Sequence, residues 1–133
     1  MNRRDYLKAV AVGASALGTA PAGRAAAKNP IQLHVDLDVD PAREKEMLGN
    51  FRDVFQPVIR KQPGFVDVKL LKMREALAGP PPKNAPYRLL ISFETEELRK
   101  KWVATDEHQR VWPSIEKTLR GQKYGVVLYD TVA

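Results

Sequence analysis

Ile31, Leu33, Val35, Leu37 and Val39 alternate with Gln32, His34, Asp36 and Asp38. A period of two predicts a strand with one face in the core and the other wetter. Asp40-Pro41 then supplies an N-cap followed by proline at the first helical position, where a missing N–H does no harm. From there Met47, Phe51, Phe55 and Ile59 recur at every fourth position, and Leu48, Val54 and Val58 widen the stripe. This predicts an amphipathic helix lying on a sheet. Pro57 is expected to kink that helix or start a new turn, and Pro63-Gly64 to end it.

A second strand is predicted over 65–73, with Phe65, Leu71 and Met73 on one face and Val66, Val68 and Leu70 on the other. Residues 79–86, with prolines at 80, 81, 82 and 86, suit a stiff, polyproline-like hairpin loop. A third strand follows from Tyr87 to Phe93. Thr95 is placed to cap a short helix, with Glu96 and Glu97 against its positive end. Leu98 and Trp102 share one face of that helix, and Arg99, Lys100 and Lys101 spread over the wetter part. Thr105-Asp106-Glu107 starts another helical stretch holding His108, Val111, Trp112, Ile115 and Leu119, with Pro113 near its first turn and Gly121 as its stop. The last strand is expected from about Lys123 to Val132.

The order β-α-β-β-α-β predicts an α+β, ferredoxin-like subunit with an antiparallel sheet and helices on one face. If the other face were wet, the strands should be polar there. The two-sided apolar character of 65–73 and 126–129 argues against that. A second layer is expected over it, most simply the sheet of an identical subunit, a homodimer.

Residues 1–27 follow a different pattern. Arg3 and Arg4 precede Asp5-Tyr6-Leu7-Lys8, a weakly apolar Ala/Gly/Val stretch and Ala25-Ala26-Ala27. Paired cations, a stretch too short and too weakly apolar for a membrane span, and small residues before a cut suit a twin-arginine signal peptide. The expectation is a periplasmic or secreted protein with no stable membrane anchor after cleavage, whose single working domain is 28–133. The 22 Lys and Arg exceed the 16 Asp and Glu by six, and half of that excess lies in the leader. The remaining basic residues interleave with acids, as in Arg43-Glu44-Lys45-Glu46, the pattern of a solvated face. No cysteine is present, which removes disulfides and thiol chemistry.

Candidate chemistry centres on two histidines. His108 shares the inward stripe with Trp112, Ile115 and Leu119. A ring nitrogen on an apolar face is suited to proton transfer or to hydrogen bonding a ligand. A histidine satisfied by a backbone carbonyl at a helix start is the plainer alternative. Trp102 and Trp112 bracket it and would wall a cavity between helix and sheet, or serve as core. His34 and Asp36 share a strand face but have no evident third metal ligand, so no metal site is expected. Phosphate-binding glycine loops, nucleophile elbows and zinc-binding helices are missing. Tyr87–Phe93 lacks the glycines of an RNA-recognition strand, so nucleic acid is not an expected partner.

Phe51–Phe65, a helix running into Pro63-Gly64-Phe65, and Glu107–Pro113, with Phe93-Glu94-Thr95 and Trp102 upstream, resemble the antibiotic biosynthesis monooxygenase family over essentially all of 31–132. The resemblance implies a dimeric α/β barrel with a pocket between each sheet and its helices. Some members oxidise polycyclic aromatic substrates with dioxygen and no metal or flavin, the substrate supplying the electrons. Related proteins degrade haem with a helical histidine, a tryptophan and a strand asparagine, and the first strand here has no asparagine. The implied reading is a monooxygenase without a cofactor, acting on a small aromatic or quinol-type molecule. His108 and Trp102 would be its catalytic residues, and Trp112, Phe51 and Phe55 would shape the substrate pocket. The alternative is a non-catalytic periplasmic binding protein for haem or another hydrophobic ligand, with His108 as a possible axial ligand.

Overall fold

The alternation at the start of the domain is realised as β1 (Ile31–Leu37), the strand on which the fold is assembled. The computed structural model describes residues 29–121 and 124–133. The expected leader, 1–27, lies outside these residues, as does Lys123, the expected start of the last strand. A helical run, α1, follows β1 and is built from Pro41–Arg43, Glu44–Asn50, Phe51–Phe55 and Gln56–Ile59. Then come β2 (Phe65–Lys72), β3 (Tyr87–Phe93), α2 (Glu96–Val103), α3 (Asp106–Glu116) and β4 (Val126–Asp130). The strands lie in the order β2-β3-β1-β4, each pair antiparallel. This is the ferredoxin-like α+β fold.

The register decides which side chains meet the helices. Leu33 lies opposite Ile91 and Leu128, and Val35 opposite Leu89 and Val126. Leu33, Val35, Leu89 and Ile91, with Ile31, Leu37 and Phe93, form the sheet's share of the core, while Val126 and Leu128 on the same face stay about half exposed. The helices contribute Met47, Phe51, Phe55, Ile59, Trp102, Val111 and Ile115. The other sheet face carries Gln32, His34 and Asp36 from β1, paired with Ser92, Leu90 and Arg88 of β3.

Three local features depart from the expected pattern or add to it. A bulge between Phe65 and Asp67 shifts the register of β2 on β3. It puts Phe65 on the helix-facing side with Val68 and Leu70, where its ring meets that of Phe93 edge-on at 6.1 Å. One inserted residue reverses the alternation, which strict counting along 65–73 could not show.

Pro57, expected to kink the helix or start a new turn, stands in the first turn of the α-helical segment Gln56–Ile59, which follows a widened turn: Phe51–Phe55 is π-helical, and the Gln56 N–H donates to the Phe51 carbonyl. Four-residue spacing exceeds the 3.6 residues of an α-turn, so a stripe at 47, 51, 55 and 59 would drift around a pure α-helix. The wider π-turn returns it to the sheet, and all four residues are buried.

Finally, α3 ends at Glu116, before Gly121. Beyond it the chain turns to pair with 38–40: the Asp40 N–H donates to Thr118 O, the Arg120 N–H to Asp38 O, and Leu119 bridges Val39.

Strand β4, five residues at the sheet edge, pairs with β1 alone. It is shorter than the strand expected over 123–132. Val126, Val127, Leu128 and Tyr129 are all about half exposed.

Candidate functional site

Two N-capped helices place the aromatic residues over the sheet. The Thr95 hydroxyl accepts from the Leu98 N–H and starts α2. The Thr105 hydroxyl accepts from the His108 N–H at 3.0 Å and donates to the Trp102 carbonyl at 2.7 Å. One side chain therefore joins the end of α2 to the start of α3, and Trp102 to His108. Caps of this kind contribute about 1 kcal/mol; this one also fixes the angle between two cavity walls.

Those walls border a solvent-open cavity of about 210 Å³. The floor is Leu33 and Val35 of β1 with Leu89 and Ile91 of β3. The helices supply Phe55, Arg99, Trp102, Val103, His108 and Trp112, and Tyr124 and Val126 form the side next to β4. Phe55 holds both tryptophans edge-on, 6.1 Å from Trp102 and 6.0 Å from Trp112. The His108 ring stands edge-on to Trp102 at 4.9 Å and lies nearly parallel to Trp112 at 6.4 Å.

The structure thus brings together His108, Trp102, Trp112 and Phe55. It separates Phe51, which is buried in the core against Phe55 with ring centres 6.0 Å apart and does not line the cavity. Phe51 lies one turn back along α1, inside the core and outside the cavity lining expected of it.

Two polar wall residues were not foreseen. Arg99 was assigned to the wet part of α2, yet it lines the cavity, with its Nε and Nη2 each 2.6 Å from a Glu96 oxygen. The signal was present, because positions 99, 102 and 103 share one helical face. Tyr124 enters from the segment before β4. It accepts from Trp112 Nε1 and donates to Glu116 Oε2, both at 3.0 Å. No spacing in the sequence connects 124 with 112.

The electrostatics follow from this wall. Burial, then the positive charge of Arg99, pushes the His108 pKa below its ordinary value, so the ring is neutral near pH 7. Its Nδ1 is buried with no hydrogen-bond partner among the described residues, a condition that costs roughly 1–3 kcal/mol. Burial pushes the Tyr124 hydroxyl upward, so it stays protonated.

His34 lies on the opposite sheet face, with Nε2 2.9 Å from Gln32 Oε1 and its ring 4.6 Å from that of Tyr129. Asp36 is paired to Arg88 at 2.7 Å. Among the described residues no three metal-ligating groups converge.

The cavity volume tests which cofactor fits. Pockets for drug-sized ligands measure roughly 300–1,000 Å³, so a haem macrocycle would be left largely outside this space. A cavity of about 150 Å³ holds benzene, so 210 Å³ suits one ring with small substituents.

No family model matches the chain, and no curated protein matches it. Solved structures do. A dimeric ferredoxin-like protein of unknown function from Jannaschia is 14% identical with a TM-score of 0.63, covering 78% of this chain and 99% of that one. A protein from Caulobacter crescentus, described as a candidate antibiotic biosynthesis monooxygenase, is 20% identical with a TM-score of 0.62, over 80% and 93%. A substituted form of SnoaB, a cofactor-independent oxygenase from Streptomyces nogalater, is 16% identical with a TM-score of 0.57, over 77% and 92%. The fold is therefore the one found in antibiotic biosynthesis monooxygenase-like proteins.

Proposed function

We propose that this chain is a monooxygenase acting without metal or flavin on a small aromatic or quinol-type molecule held in the cavity. The observation that carries the reading is a single-ring-sized apolar space whose wall places a neutral, desolvated histidine between two tryptophans. A solved relative in fold described as a cofactor-independent oxygenase supports it. An electron-rich phenol or quinol can itself reduce dioxygen. One oxygen atom enters the ring, and the other leaves as water with the two hydrogens that the ring gives up, so the electrons balance without a further reductant. His108 and Trp102 meet the reacting ring and its oxygen, while Phe55 and Trp112 hold the ring flat and exclude water, which strengthens each polar contact inside.

The proposal includes a homodimer in which the Gln32, His34 and Asp36 face meets its copy. Leu71, Met73, Val127 and Tyr129 are all more than two-fifths exposed on that face, and a dimeric relative in fold supports the pairing. It further includes action outside the cytoplasm after twin-arginine export, on the pattern of residues 3–27.

The test supplies single-ring phenols and quinols with isotopically labelled dioxygen to chelator-treated protein. Expected are one labelled oxygen per product and turnover lowered at least ten-fold in His108→Ala. Unlabelled products across the panel, or His108→Ala turnover equal to wild type, would sink the reading.

A further inference from the structure

Apart from the Tyr124 hydroxyl, already spoken for on both sides by Trp112 and Glu116, the polar side chains of the cavity wall present donors. Among the described residues the lining has no carboxylate and no amide, and the Arg99 guanidinium is its one full charge. Glu96 occupies Nε and one edge of Nη2 from behind. The fork has five N–H groups, so the hydrogens on Nη1 remain for another acceptor.

The buried Nδ1 of His108 sets its tautomer. A hydrogen there would be an N–H without an acceptor, a rarer condition in folded proteins than an under-used lone pair. The hydrogen therefore sits on Nε2. Protonating the ring would orphan that N–H at Nδ1 and add a second positive charge near Arg99, so the neutral donor form is kept. Among the described residues, the other titratable or charged groups around the cavity are Tyr124 in the wall, Glu96 behind Arg99 and Glu116 behind Tyr124.

We infer that the cavity takes a single-ring aromatic oxyanion, its negative oxygen received by Arg99 and His108 Nε2–H and its ring held by Phe55, Trp102 and Trp112. This rests on the small-aromatic reading above and names the polar group that the molecule must carry. Charge-assisted hydrogen bonds to a guanidinium are about twice as strong as neutral ones, and in a water-poor cavity they select the ionised form. The oxyanion can be a phenolate or a carboxylate, since Nη1 serves either.

The experiment reads binding without dioxygen, so that a failure of turnover leaves it standing. The probe is 4-nitrophenol, which is yellow only as its phenolate, titrated into the full-length protein across pH. Bound dye should ionise at a pH at least one unit below free dye. Arg99→Met should weaken phenolate binding at least ten-fold while leaving nitrobenzene, of similar shape without the oxyanion, within two-fold. Glu96→Gln, which frees the Arg99 fork, should tighten phenolate binding.

If Arg99→Met loses nitrobenzene as well, the variant has lost its cavity and Glu96→Gln decides: unchanged or weaker phenolate binding overturns the inference. An unshifted dye overturns it directly, leaving the small-aromatic reading intact. If neither nitrobenzene nor nitrophenol binds the wild type, both readings fall. Competition by phenol and by benzoate assigns the source, the stronger competitor marking the oxyanion for which the site is built.

Discussion

Gly64 offers a worked test of how tightly α2 is seated beside the cavity. It holds φ at +80°, between α1 and β2, and its carbonyl accepts from the Glu94 N–H at 2.8 Å. A Cβ added there would lie 2.4 Å from Leu98 Cδ1, 2.9 Å from Leu98 Cβ and 3.1 Å from Leu98 Cγ. Gly64→Ala therefore meets two penalties. The left-handed backbone costs an L-residue about 1–2 kcal/mol, and overpacking against α2 costs about 1–3 kcal/mol. The stiffer unfolded chain offsets about 0.4–1 kcal/mol.

The net expectation is a loss of about 1–5 kcal/mol, read from urea midpoints, with Tm falling about 4–8 °C per kcal/mol for a domain near this size. A double-mutant cycle with Leu98→Ala separates the parts. Truncation removes the contacts at 2.4 and 3.1 Å and leaves the one at 2.9 Å. Gly64→Ala should thus cost about 1 kcal/mol less in that background, a coupling ordinary for touching residues. A Gly64→Ala loss below about 0.5 kcal/mol would refute the whole account. An equal loss in both backgrounds would refute the clash and leave only the backbone strain.

Because the folded pKa of His108 is lowered, the unfolded chain takes up the proton first as pH falls. The stability linked to this ring is full above about pH 6.5 and declines as pH drops from there toward the folded value. His108→Gln should flatten part of that decline in urea melts between about pH 7.5 and 5.5, and an unchanged slope would count against the burial argument. His34, also lowered by burial, retains its own share. Phe51→Ala and Phe55→Ala should each cost about 3–5 kcal/mol, but only Phe55→Ala should change nitrobenzene affinity; equal effects on binding would place the cavity boundary wrongly. In sedimentation at micromolar concentration the wild type should be a dimer, and Leu71→Glu combined with Val127→Glu a monomer. A monomeric wild type would remove the paired-sheet proposal.

What was legible in the chain was whatever repeats at a fixed period or carries a local signature. The alternation at 31–39 located β1, and Thr95 and Thr105 marked both helix starts, where their hydroxyls cap α2 and α3. What escaped depended on one residue breaking the count or on partners far apart in sequence. The bulge after Phe65 reversed a face, and the π-turn before Pro57 absorbed a proline by widening. Leu119 looked helical by spacing but is drawn to Val39 across the chain.

The same division runs through the cavity. His108, Trp102 and Trp112 were found because large residues on one helical face attract notice. Arg99 was passed over because charge was read as exposure, though its carboxylate partner three residues back lets the guanidinium lie inward. Tyr124 reaches Trp112 only through tertiary structure.

The Thr105 hydroxyl also bears on how anything enters the cavity. It pins the Trp102 carbonyl to the His108 N–H, so the elbow between α2 and α3 cannot swing wide without breaking at least one of these bonds. Across the cavity, β4 is held to the sheet by β1 alone, with its side chains half in solvent. The two sides are thus a hinge bolted shut and a curtain tied along one hem. The cavity already opens to solvent, so entry asks neither side to let go. In hydrogen exchange, therefore, the capped His108 amide and the β4 amides paired with β1 should stay protected while a ligand enters.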